Sequence, residues 1–522
     1  VSMVRIVNPV LPGFHPDPSI VRVDDVFYLA TSTFEFHPAV RIHASRDLAN
    51  WELVGHALDE GFDLRGVPDS GGVWAPSLSY ADGQFWLAYS IVRTMDGDDK
   101  DIENYLVTAP EITGPWSEPV YLGSRGFDFS FFHDDDGTHW IVGVQWDHRP
   151  DHPSFSGLVL EQYLPDEQRV SGEPHLLYRE SGLVEGPNLY RIDGWYYLLI
   201  AAGGTGWNHG ITVARSRERL GPYERDPQEA VLTTRDAPGH PLQKAGHGEL
   251  VQLADGRWML AHLAARPVLH LGERYSTLGR ETCLQAVEFD EAGWLRLRGG
   301  GWHAAETVEI DGLVEHPVEV APTRDDFDAD ELERRSWVTL RAALPTGVAD
   351  LRARPGWLRL HGGASAASVF DQSMILRRVT EHRTTVSCRI DAEPTSSRQA
   401  AGLVLWYDRR GWIWLQVTWD VENGRHVRVV WRDGDRTVAG APVEVPSGVL
   451  DLEANLDGAY AEFAVTGVEG MRRTVPGRYD LWRLSDDHGA RLRFTGLFAG
   501  VRVDDLDARQ WCADFDFVDV AT

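Results

Sequence analysis

The sequence predicts an all-β protein, a five-bladed β-propeller followed by a β-sandwich, on three observations. A short polar turn followed by an aromatic strand recurs five times in the first 300 residues of the 522-residue chain. That repeat stops near residue 310, and from about residue 325 the strand-length apolar runs have a different spacing. Aromatic residues make up 10% of the chain, with 20 Trp and 51 Gly, the composition of many short strands joined by tight turns. The length allows two or three domains, each large enough to bury a core without disulfides.

The repeats run, in order, Asp24-Asp25-Val26-Phe27-Tyr28-Leu29, Asp82-Gly83-Gln84-Phe85-Trp86-Leu87, Asp136-Gly137-Thr138-His139-Trp140-Ile141, Asp193-Gly194-Trp195-Tyr196-Tyr197-Leu198 and Asp255-Gly256-Arg257-Trp258-Met259-Leu260. Their leading Asp residues are 58, 54, 57 and 62 positions apart. Asp-Gly between β-rich runs is a strong hairpin signal, because Gly supplies the positive φ that two-residue hairpin turns require. Units of about 55 residues suit four-stranded propeller blades better than solenoid repeats, which are usually shorter. The propeller is expected over residues 1–315.

Eight residues before each turn Asp (seven in the first repeat) stand Asp17, Trp74, Asp128, Glu185 and His247. The first strand of each blade lines the central channel, so these five positions should converge near its axis. Carboxylates gathered there without partners cost desolvation and repulsion. Two carboxyl groups on opposite sides of a scissile acetal, one protonating the leaving oxygen and one activating water, are the apparatus of glycoside hydrolysis. A third nearby carboxylate would raise the acid's pKa by like-charge repulsion, and Trp74 offers a platform for a sugar face. The alternative is that the acids cap the blades or hold a structural cation.

His15-Pro16-Asp17-Pro18-Ser19, Phe34-Glu35, Asn50-Trp51, Gly72-Val73-Trp74-Ala75-Pro76-Ser77, Phe127-Asp128, His133-Asp134-Asp135-Asp136-Gly137, Glu185-Gly186-Pro187, Gly203-Gly204-Thr205-Gly206, Gly246-His247-Gly248 and Leu278-Gly279-Arg280-Glu281-Thr282 resemble, in order, glycoside hydrolase family 43, and most closely its two-domain β-xylosidases. The resemblance implies a five-bladed propeller that hydrolyses with inversion, releasing xylose from the non-reducing ends of xylo-oligosaccharides, with side activity on α-L-arabinofuranosides. It implies Asp17 as general base, Glu185 as general acid and Asp128 as the residue that tunes and orients the acid. Phe34, Trp74, Trp146 and Arg280 are implied to shape the pocket. His247 resembles the family's channel histidine, which approaches calcium or another divalent ion through water; no organic cofactor is implied. Inversion requires the two carboxyls to stand roughly 6.5–9.5 Å apart, and about 5 Å would mean a covalent intermediate.

Three departures from the commonest family pattern, Phe129 for Pro, Asn188 for His and Phe36-His37 for Trp-Phe, are expected to bear on substrate and not on chemistry. Trp146 has a core reading beside its contact reading, and Arg280 an alternative as ion-pair partner of Glu281 or Glu273. Asp134-Asp135-Asp136 reads as a solvated turn. Gly203-Gly204-Thr205-Gly206 lacks the later Gly and Lys of a phosphate loop, and the chain has no His-Glu-x-x-His or Gly-x-Ser-x-Gly segment.

Beyond a linker at Glu319-Val320-Ala321-Pro322-Thr323-Arg324, runs at Thr384 to Ile390, Ala401 to Trp406, Trp412 to Trp419 and His426 to Trp431 read as strands of a sandwich over residues 325–522. By resemblance this sandwich is concanavalin A-like and closes one side of the pocket; the short linker argues against an independent carbohydrate-binding module.

The net charge of −29 repels phosphate backbones and anionic lipids, and no apolar run reaches a membrane span. Neither nucleic acid nor membrane is an expected partner. A small oligosaccharide is, and a homo-oligomer remains open. Cys283, Cys388 and Cys512 read as buried thiols, and with no signal segment in Val-Ser-Met-Val-Arg-Ile the expected compartment is the cytoplasm. Xylose and arabinofuranose are not separable from sequence. The rival from another class is a sugar-binding propeller without turnover.

Overall fold

The computed structural model describes residues 3–59, 61–333 and 335–522; Val1 and Ser2 lie outside the described residues. Five antiparallel sheets follow one another along the first 300 residues. Blade I comprises Ser19–Val23, Val26–Thr31, Ala39–Ser45 and Glu52–Leu58; blade II is built on Gln84–Val92 and Ile102–Ala109. Blade III comprises Ser130–His133, His139–Trp146, Phe155–Leu164 and Arg169–Tyr178. Val184–Ile192, Trp195–Ala202 and Gly210–Ser216 carry blade IV, and Gln243–Gln252, Trp258–Ala265, Glu281–Phe289 and Leu295–Leu297 blade V. The ring is fastened where Met3–Val7 pairs with Thr307–Asp311. There the Asn8 side chain donates to the carbonyls of Leu284 and Ala305 and accepts from the Leu284 N–H.

Three of the five predicted turns are two-residue hairpins, with Val23 opposite Val26, Ala81 opposite Gln84 and Ile192 opposite Trp195. In two of them both turn residues have positive φ: Asp82 (52°) with Gly83 (76°), and Asp193 (50°) with Gly194 (74°). The third and fifth differ, being five-residue loops closed by Asp134 N–H to Thr138 O and by Leu253 N–H to Arg257 O. The solvated-turn reading fails at Asp134. Its carboxylate is buried and accepts from Arg219 Nη1 at 2.6 Å, Tyr196 Oη at 3.0 Å and Arg191 Nη1 at 3.2 Å, tying blade III to blade IV. Asp135 and Asp136 are exposed.

In the sandwich, one sheet centres on Arg383–Asp391, Leu450–Asp457 and Cys512–Ala521, the other on Gln399–Asp408, Gly411–Asp420 and Phe498–Asp505. All ten residues of Gln399–Asp408 are buried, because both faces of that strand are covered. Leu403, Leu405 and Tyr407 point into the core between the sheets, while Val404 and Trp406 point at the propeller, where they join Trp412, Trp414, Phe498, Phe14, Phe34 and Phe36. Phe36 stacks on Phe498 with ring centroids 4.0 Å apart, and Thr339–Leu340 pairs with Phe36–His37 across the domain boundary. Lys244, buried, donates to Asp486 at 2.9 Å and lies 2.7 Å from Asp487. The sandwich is thus joined to the propeller by a sheet, a core and buried ion pairs.

Cys283 and Cys388 are buried free thiols; Cys512, on a strand end, is only half-buried, which corrects that expectation. Among the described residues no helix is long and apolar enough to cross a membrane.

Candidate active site

The predicted ring positions meet in one cavity. Asp17, Trp74, Asp128, Glu185 and His247, from blades I to V, line it together with Phe34, Trp146 and Arg280. It holds about 310 Å³, the small end of the roughly 300–1,000 Å³ usual for ligand pockets. Each inner strand reaches it through a left-handed kink: φ is 53° at Asp17, 82° at Gly72, 55° at Asp128, 52° at Gly186 and 49° at His247. Such a conformation in Asp or His persists only where the surroundings over-determine it. At Gly186 a Cβ would stand 3.0 Å from the His247 ring, so glycine is what lets the two blades approach. The ladders of blades IV and V slip register at these points, which turns the Glu185 and His247 side chains out of the sheet.

The three carboxyls differ in their surroundings. Asp17 accepts from Arg280 Nη1 at 2.9 Å and from Ser32 Oγ at 2.7 Å, and His247 Nδ1 is 4.0 Å away. Burial alone would raise its pKa; Arg280, His247 and Ser32 together reverse that and hold it below the ordinary carboxylate value. Asp128 accepts the Gly186 N–H at 2.9 Å, one residue from Glu185. Burial, with the Asp17 charge added, raises Asp128 to about 6 despite the opposing His247. Glu185 is pushed up to about 8, first by burial and then by Asp128 and Asp17. Like-charge repulsion therefore acts as the sequence reading expected, but dehydration leads it. One carboxyl is thus set to be ionised and another to be protonated near neutral pH.

Trp146, half-buried, lines the cavity, packs on Phe127 and Phe155 and donates Nε1 to the Asp98 carbonyl at 2.8 Å. Arg280 is the partner of neither Glu273 nor Glu281. It spans Asp17, Thr205 Oγ1 at 3.1 Å and the Phe494 carbonyl at 3.1 Å, while Glu281 is held by Arg266 at 2.7 Å. Phe129, Asn188, Phe36 and His37, the departures expected to bear on substrate, all lie outside the lining. Phe129 is buried against Gly143, where a Cβ would meet its ring at 2.3 Å. Asn188 donates to the Gly248 carbonyl, and Phe36 and His37 belong to the domain junction.

Ser32, Lys100, His209, Leu492 and Phe494 escaped the sequence reading. Phe494 comes from the sandwich, its N–H donating to Ser70 Oγ at 3.0 Å and its ring 5.7 Å from that of Trp74. Its only sequence signal is an aromatic residue directly after the run Gly489-Ala490-Arg491-Leu492-Arg493. His209 is buried with Nδ1 3.0 Å from the Lys244 carbonyl, which fixes the proton on Nδ1 and leaves the unpartnered Nε2 as an acceptor. As for a cation, among the described residues no three His, Cys, Asp or Glu side chains are grouped to ligate one. A cation that His247 approaches through water, as the resemblance implies, needs no such group, and no step of the proposed reaction passes through a metal.

Residues 6–295 match glycosyl hydrolases family 43. The chain belongs to that family. Residues 324–521 of this family 43 chain match the β-xylosidase C-terminal concanavalin A-like domain. It is 40% identical to a putative β-xylosidase of Escherichia coli strain K12 over 98% of this chain and 99% of that one. It is 39% identical to xylosidase/arabinosidase 43B of Humicola insolens, over 99% and 97% of the two chains. The crystal structure of a xylan β-1,4-xylosidase from Bacillus halodurans C-125 superposes with a TM-score of 0.96 at 43% identity, covering 99% of this chain and 100% of that one.

Proposed function

We propose that this family 43 hydrolase is an exo-acting, inverting β-xylosidase, with α-L-arabinofuranosidase activity at the same site. The observation that carries the reading is the opposed ionisation of Asp17 and Glu185 in a small pocket capped by Phe494 of the sandwich. Asp17, kept anionic by Arg280, takes a proton from water as that water attacks the anomeric carbon. Glu185, kept protonated by burial and by its carboxylate neighbours, gives its proton to the departing glycosidic oxygen. Asp128 fixes the backbone beside the acid and supplies part of the charge that keeps it protonated. A cavity of about 310 Å³ is small for the middle of a polysaccharide chain, which favours release of single sugars from a terminus.

The relatives' names support the xylosidase reading, and the Humicola name the second activity. Three unpaired thiols suit a reducing compartment such as the cytoplasm. The test is release of 4-nitrophenol from its β-D-xylopyranoside and α-L-arabinofuranoside by the parent, Asp17→Asn and Glu185→Gln. Asp17→Asn is expected to lose about 10³-fold in kcat on these substrates, whereas Glu185→Gln should lose as much on xylobiose and far less on the 4-nitrophenyl glycosides, whose leaving oxygen needs little protonation. Proton NMR of the first product from xylobiose should show α-xylose; β-xylose would overturn inversion. Binding without turnover by the parent would support a sugar-binding propeller instead.

A further inference from the structure

A second concentration of buried ionisable groups lies where blade I meets the sandwich. Arg41 and His56 are directly opposed on neighbouring strands, and His43 follows Arg41 at the alternation that returns to the same face. The His15 ring stands edge-on to that of His43, centroids 5.3 Å apart. From the sandwich, Arg378 ends the strand Met374–Arg378 and donates Nε to the Phe14 carbonyl at 2.7 Å.

Five nitrogens here are buried without a hydrogen-bond partner: Arg41 Nε, Arg378 Nη2, His15 Nε2, His43 Nδ1 and His56 Nε2. Among the described residues neither arginine forms an ion pair with a carboxylate. Burial and mutual repulsion lower the pKa of all three histidines, and burial lowers that of both arginines. Two buried guanidinium groups without a counter-charge are costly, and orphaned donors around them call for an occupant.

The free donors define its chemistry. Both Nη atoms of Arg41 are directed to the Arg335 carbonyl, leaving Nε, and Nε of Arg378 is used on Phe14, leaving Nη2. Arg41 Nε and both hydrogens of Arg378 Nη2 are thus left without an acceptor, each carrying positive charge toward the occupant. His43 and His56 can place their tautomeric proton on the free nitrogen. His15, whose Nδ1 faces the Pro12 carbonyl, becomes a donor at Nε2 only as an imidazolium.

We propose that this cluster is a binding site for a small inorganic anion, chloride in ordinary media, held by Arg41 Nε and Arg378 Nη2 with His43 and His56 beside it. The anion neutralises the junction and braces the segment Phe14-His15 that leads to Asp17, joining blade I to the sandwich. Crystals of the unmodified enzyme soaked in sodium bromide and measured at the bromine absorption edge test this. An anomalous peak between Arg41 and Arg378 is expected, lost in Arg378→Gln. Water density at that place with no anomalous peak overturns the proposal. In solution the thermal midpoint should rise saturably with chloride against gluconate at equal ionic strength. A midpoint that follows ionic strength alone also overturns it. Neither measurement on the parent depends on whether the variant folds.

Discussion

Arg280 Nη1 stands 2.9 Å from Asp17 Oδ1, joining the last blade of the propeller to the first inside the pocket. The same guanidinium reaches Thr205 of blade IV and the main chain of Phe494 in the sandwich, so one side chain fixes the base against three other parts of the protein. Its charge lowers the pKa of Asp17 and, more weakly than the carboxylates raise it, that of Glu185.

Arg280→Met should therefore move the whole pH profile of kcat/KM to higher pH. Removing the cation makes ionisation of Asp17 harder, which shifts the acid limb upward, and does the same for Glu185 on the alkaline limb. A loss of activity with both limbs unmoved would show that Arg280 acts only through contact with substrate.

Glu185 at about 8 and Asp17 below the ordinary carboxylate value predict a broad profile for the parent, falling on the alkaline side near pH 8. Asp128→Asn removes a negative charge beside Glu185, making its ionisation easier. The alkaline limb of kcat/KM should then move to lower pH, with a loss in kcat of about 10²-fold or more from the misplaced acid. Activity measured from pH 4 to 10 on xylobiose decides it.

Phe494→Ala leaves the main-chain bonds to Arg280 and Ser70 in place while removing the ring that faces Trp74 and Phe34. KM for xylobiose should rise about tenfold, the effect of roughly 1.4 kcal/mol of lost contact, with the pH limbs unchanged. Steady-state kinetics separates this from a general loss of folding, which would lower the active fraction and leave KM alone.

Asp134→Asn should destabilise the propeller by about 2–3 kcal/mol, since it strips charge from a buried acceptor of three hydrogen bonds. The denaturant midpoint reports it. Turnover at 25 °C should persist, because Asp134 lies outside the pocket lining.

The repeat of Asp-led turns was enough to find the five blades, and stepping back from each turn found Asp17, Trp74, Asp128, Glu185 and His247, because a propeller maps equal sequence phase onto equal distance from its axis. The same reasoning could not find Phe494, His209 or Ser32, which carry no repeat phase. It misread Asp134, whose three cationic and hydroxyl partners come from the next blade.

Local sequence by itself determined the all-β architecture, the blade period and the identity of the three carboxyls, since turn chemistry and strand alternation are short-range properties of the chain. The tertiary structure decided which carboxyl is ionised and which protonated, what Arg280 holds and what closes the pocket. Those depend on dehydration and on charges brought together from residues far apart in the chain, and both act through space.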